Sequence, residues 1–132
     1  LEGNRFPLNN LTELQKLEME FRQKSIGKCW RGQVGAIDGV HFKMVEPARN
    51  EVDDPRQYYV ARKHTFALLC MAIADVDRRI LWYDILKASN THDSQAFGCT
   101  SLGVRIANGD LPAPFFLNGD SAFTLSNSII TP

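Results

Sequence analysis

At 132 residues the chain is one domain or part of one, long enough to bury a single core. It is 44% hydrophobic and 23% charged, ordinary for a globular protein, and 15 basic residues balance 15 acidic ones. With zero formal net charge no global basic field marks it for nucleic acid, so any such contact rests on local patches. The longest apolar run, residues 66–74, is far too short to span a bilayer, which argues against a membrane partner. Cys29, Cys70 and Cys99 are odd in number and widely spaced, against both a disulfide framework and structural zinc; a reducing intracellular setting fits best. No signal peptide is visible and the first residue is Leu1, so a truncated N-terminus is the simplest expectation.

In chain order, residues 11–24 are predicted to form a helix. Asn10 and Glu13 are spaced as a capping box, Leu11, Leu14, Leu17 and Phe21 make one apolar stripe, and Gly27 stops it. Residues 33–45 read as a strand or a bent hairpin arm in which Val40, Phe42 and Met44 alternate with His41 and Lys43. Asp38 shares the apolar phase and is expected to face inward unless Gly39 introduces a bulge. Residues 46–64, polar and with Pro47 and Pro55, read as a long loop. Residues 66–74 fit a central strand covered on both faces, with Cys70 a core thiol. Asp75 to Arg79 is a turn, and residues 80–86 form the next strand. Ser89, Asn90 and Thr91 offer caps for a helix opening near His92 and Asp93, weakened by Gly98 and Gly103. Pro112 and Pro114 introduce a last strand over 115–117. The order implies an α/β fold with a mixed sheet: a three-strand antiparallel meander, a helical crossover, and a parallel fourth strand beside the first.

Two of the apolar runs end in an aspartate beside a glycine, at Ile37-Asp38-Gly39 and Asn118-Gly119-Asp120. Carboxylates held at the ends of adjacent buried strands make a site for a hard divalent cation. Each aspartate also has a plainer reading: Asp38 as a turn residue before Gly39, and Asp120 as a helix N-cap before Ser121. Asp75 and Asp77 read as turn residues, and Arg62 and Lys63 as a solvated loop end or weak DNA contacts.

The words around these acids resemble one family. Gly35-Ala36-Ile37-Asp38-Gly39-Val40-His41 is similar to the first acidic motif of PIF/Harbinger-type transposases, DDE superfamily nucleases of the RNase H-like fold. Tyr58-Tyr59-Val60-Ala61-Arg62-Lys63 resembles their Y-x-N-R-K stretch with Ala61 in place of Asn, and Ala72-Ile73-Ala74-Asp75 the end of their second strand. Thr91-His92-Asp93-Ser94 is similar to their H-D-S helix start, although Ala88-Ser89-Asn90 replaces the usual Pro-Gly-Ser before it. Leu117-Asn118-Gly119-Asp120-Ser121-Ala122-Phe123 resembles the second acidic motif, with Phe for the usual Tyr, and Thr131-Pro132 the T-P after it.

The resemblance covers residues 33–132 and implies residues 1–32 as a helical lead-in to a partial DDE nuclease catalytic domain. It implies phosphodiester hydrolysis and strand transfer with Mg²⁺ or Mn²⁺, Asp38 and Asp120 as catalytic and metal-binding acids, and His92 and Asp93 beside the metals. It also implies DNA as partner, a possible Myb-like DNA-binding companion, and a nuclear location. The family's third acid, a glutamate on a later helix, is expected beyond residue 132. The catalytic domain is thus expected to be C-terminally incomplete, and this segment alone inactive. Two alternatives stand beside this one: a domesticated or decayed relative that only binds DNA or protein, and a GDSL-type serine esterase with Ser121 as nucleophile. Against the esterase, no Asp-x-x-His follows Ser121.

Overall fold

The computed structural model describes residues 2–3, 5–86 and 91–132. Helix α1 spans Leu11–Lys24, and its first turn is capped as its sequence suggests: Asn10 Oδ1 accepts the Glu13 N–H at 3.2 Å. Leu14 and Leu17 are buried on its inner face, while Leu11 is exposed. The helix stops at Ser25, whose N–H and hydroxyl both bond the Arg22 carbonyl, and Gly27 turns the chain at φ +66°.

The sheet is built from β1 (Glu2–Gly3), β2 (Gln33–Met44), β3 (Tyr59–Val60), β4 (Thr65–Ala74), β5 (Ile80–Leu86), β6 (Phe116–Asn118) and β7 (Ile129–Ile130). Its path runs β1-β5-β4-β2-β6-β7, with β3 paired to β4. β2, β4 and β5 form the antiparallel meander. After the crossover helices α2 (Asp93–Gly98) and α3 (Ser101–Ala107), β6 enters parallel to β2. This mixed sheet is consistent with an RNase H-like fold.

One hydrophobic core joins α1, α2 and α3 to a single face of the sheet: Leu14, Val34, Leu69, Met71, Ile73, Trp82, Phe97, Leu102 and Leu117 all belong to it. Cys70 is buried, as expected of a core thiol, and burial pushes its pKa up with help from the Asp84 charge. The second face of β4 is less covered than its unbroken apolar run suggests. Phe66, Leu68 and Ala72 remain half-exposed there, because the core helices pack on the other side.

The apolar phase of β2 is also corrected. Its register with β4 runs without a shift from Ala36–Ala74 to Met44–Phe66, so Gly39 makes no bulge. Ile37 sits opposite Ile73 in the core; Asp38, Val40 and Phe42 are on the alternate phase and exposed.

Three further elements depart from expectation. The polar loop is not structureless: Pro55–Tyr58 and Ala61–Lys63 are 3₁₀ turns around β3, with Tyr58 and Val60 buried. The crossover is two short helices rather than one. Thr100 breaks it, its hydroxyl donating to the Phe97 carbonyl at 2.7 Å and accepting the Gly103 N–H at 2.9 Å. β1 and β7, two residues each, are too short to leave a periodic signal. The caps expected at Ser89 and Asn90 lie outside the described residues.

Candidate metal centre

The site is set by one pairing. β6 runs parallel to β2 with Ala36 opposite Asn118, and each acid lies two residues further along its own chain. Asp38 and Asp120 therefore arrive at the same end of neighbouring strands and line one cavity of about 390 Å³. Neither plainer reading holds. Asp38 is inside the β2 ladder, opposite Ala72, not in a turn. Asp120 caps no helix; its Oδ1 accepts the Ala122 N–H at 2.9 Å and closes a tight turn. Asp38 Oδ1 accepts the N–H of Gly39 at 2.8 Å. Each carboxylate thus has one oxygen fixed by backbone, and both side chains are exposed to the cavity's solvent.

α2 opens against this pair. His92 occupies the N-cap position but its side chain makes no capping bond. Asp93, the first helical residue, lays its carboxylate on the backbone of β2: a Cβ on Gly39 would meet its Oδ2 at 2.7 Å and its Cγ at 2.8 Å. Only glycine leaves room for that approach. Burial raises the Asp93 carboxyl above the ordinary aspartate range, and the charges of Asp38 and Asp120 raise it further, against His41 and Arg62. Three carboxylates therefore line one cavity, Asp38 and Asp120 open to solvent and Asp93 half-buried behind them.

His92, Asp93 and Arg62 line the cavity with the two strand acids; Lys63 does not, and its side chain is exposed. Arg62 reaches the cavity through the short β3–β4 hairpin, which the sequence does not announce. His41 also lines the cavity and went unrecognised, since its alternation with Val40 and Phe42 reads as ordinary strand periodicity. Ser121 lies outside the lining, although its neighbour Ala122 is within it. Asp75 is a turn residue, as expected: its Oδ1 accepts the N–H groups of Asp77 and Arg79 at 2.9 and 2.8 Å, away from the cavity.

Among the described residues no three His, Cys, Asp or Glu side chains converge tightly enough to hold a metal ion. The donor set nevertheless fits a hard divalent cation in kind. It offers carboxylate oxygens at the ends of two adjacent strands, with a third carboxylate whose pKa is raised first by burial and then by the charges of those two acids. Among the described residues no helix is long and apolar enough to cross a membrane.

A family model described as DDE superfamily endonuclease matches residues 37–132, a span that begins one residue before Asp38 and includes Asp93 and Asp120. No curated protein and no solved structure matches the chain.

Proposed function

This chain belongs to the DDE superfamily endonucleases, and on that premise we propose that Asp38 and Asp120 are the strand-borne acids of a metal-dependent DNA-cleaving and strand-transferring site of PIF/Harbinger type. The observation that carries the proposal is the parallel β2–β6 pairing, which brings both acids to one cavity. A nuclease or transposase-type function is what the family supports; the metal and the two residues are our assignment.

Asp38 and Asp120 would hold the ion, Mg²⁺ or Mn²⁺, which when bound supplies an activated water and stabilises the leaving oxygen in phosphodiester cleavage. The chain's own part is rigidity. Asp38 is fixed within a paired strand and by the Gly39 N–H; Asp120 is fixed by its turn. His92 and Asp93 line the cavity with them, and Arg62, also on its lining, would meet a phosphate of the DNA strand. DNA is thus the partner we assign, with the nucleus as the place of action and a Myb-like DNA-binding protein as a companion.

The test is calorimetric titration of the metal-depleted chain with Mn²⁺. Saturable binding that is weakened at least tenfold by Asp38→Asn and by Asp120→Asn supports the assignment, because each substitution removes one charged ligand. Equal binding by wild type and both variants overturns it.

A further inference from the structure

We propose that the first turn of α2 is a bracket that sets the distance between the two acid-bearing strands, with Gly39, Ser94 and Thr124 as its positioning residues. The inference rests on the assignment of Asp38 and Asp120 above. On one side, the Asp93 carboxylate seats on Gly39, the residue after Asp38, at an approach any Cβ would block. On the other side, Ser94 Oγ lies 3.0 Å from Thr124 Oγ1 and accepts the Thr124 N–H at 3.2 Å. Thr124 is four residues past Asp120, at the end of the turn that Asp120 closes. Beneath the hydroxyls, Phe97 of α2 meets Phe123 edge to face at 6.5 Å between ring centroids, both rings buried.

Adjacent residues of one helical turn therefore touch both acid-bearing stretches, Asp93 at Gly39 of β2 and Ser94 at Thr124, just past the turn that follows β6. A Cα step within a helix is short and stiff, so the two contacts cannot drift apart independently. β6 is only three residues long, held by β2 on one edge and by β7 on the other, where the Gly119 N–H donates to the Ile130 carbonyl at 2.9 Å. Past Gly119 the chain leaves the sheet, and the contact with α2 adds to what fixes the Asp120 turn. Ser94 and Thr124 touch no metal or substrate in this scheme; they act through Asp120, and Gly39 acts through Asp93.

The test uses Ser94→Ala and Thr124→Val, which delete the hydroxyls, with Ser94→Thr as the conservative rescue. The first measurement is amide hydrogen exchange without metal. Ser94→Ala is expected to speed exchange of the Thr124 and Ala122 N–H groups about fivefold, the worth of one hydrogen bond, with exchange in β4 unchanged. Ser94→Thr is expected to restore protection. The second measurement is Mn²⁺ affinity, expected to fall by about tenfold in Ser94→Ala and in Gly39→Ala while the fold persists, as losses of groups that hold a metal's ligands in place do. Unchanged exchange at Thr124 and Ala122 overturns the bracket whatever the metal does. If exchange responds but wild type binds no Mn²⁺ through Asp38 and Asp120, the assignment fails and the bracket stands as a fastening of the two strands. Should a core-wide loss of protection accompany Ser94→Ala, the bracket is likewise overturned, since the residue would be a general fold element. Gly39→Ala in an Asp93→Ala background gives the final arm. Its stability cost is expected to vanish there, because the clashing carboxylate is gone, and a persistent cost would overturn the Gly39 contact.

Discussion

Replacing Asp93 by Asn should make the metal-free protein more stable at neutral pH. The side chain keeps its size and loses its charge. In the wild type that charge is half-buried and faces both Asp38 and Asp120, and its pKa is raised first by burial and then by those two carboxylates. Against this stand His41, Arg62 and the N-terminus of α2. A full-length helix favours a first-turn acid by about 0.3–1 kcal/mol, and α2, with six residues, by the lower end. Solvent reaches the site, so repulsion and desolvation together come to about 1 kcal/mol after screening. The net gain from Asp93→Asn is therefore about 0.5 kcal/mol, or roughly 1–2 °C in Tm for a chain of this length.

The pH dependence follows from the direction of the shift. A carboxyl whose folded pKa is raised holds its proton more tightly in the folded state. Its contribution to stability is greatest below the unfolded aspartate value and is lost as pH rises through the folded one. The advantage of Asp93→Asn should thus be present at pH 7, shrink on acidification, and disappear where Asp93 is protonated in both states. Differential scanning calorimetry of both proteins in chelator at pH 3.5 to 7 measures it. Saturating Mn²⁺ should reverse the order, because a bound cation turns the repulsion among the three carboxylates into attraction. A lower Tm for Asp93→Asn at pH 7 without metal, or a difference independent of pH, would refute the reasoning.

Other positions have sharper structural consequences. Glu18 is buried on the inner face of α1, holds Arg22 through its side chain, and accepts the Gly32 N–H at 3.3 Å just before β2; Glu18→Gln should cost about 1–2 kcal/mol by urea unfolding. Its pKa is lowered chiefly by the Arg22 hydrogen bond, so the cost should fade as pH drops through the folded value, where wild type also loses the carboxylate. Gly103→Ala would place a Cβ 2.0 Å from the Phe97 carbonyl oxygen and should destabilise by about 2–3 kcal/mol, read as a lower urea midpoint. Leu14→Ala empties a fully buried site between α1 and the sheet and should cost about 3 kcal/mol by the same assay, with Mn²⁺ binding retained in the folded fraction.

Local pattern carries a long way in this chain. The α1 boundaries, the strand at residues 80–86 and the Asp75–Arg79 turn follow from capping residues, apolar spacing and side-chain-to-backbone bonds, all made within a few residues of sequence. The two acids were legible too, as aspartates closing apolar runs and within words that resemble a known family. The sequence was ambiguous where the decisive contact spans the chain. Asp38 shares its phase with Val40 and Phe42, and alternation alone cannot say which face of a strand the core will cover. The helices packing on the Ile37 face decided that. Arg62 reaches the cavity only because β3 folds back on β4, a two-residue pairing without periodicity. What tertiary structure alone supplied is the meeting of residues from four separate stretches, Asp38 with Gly39, Arg62, Asp93 and Asp120, through a parallel strand pair and a helix that touches both. Such pairings are set by the burial of a shared core, which depends on every element at once and so is written in no single segment.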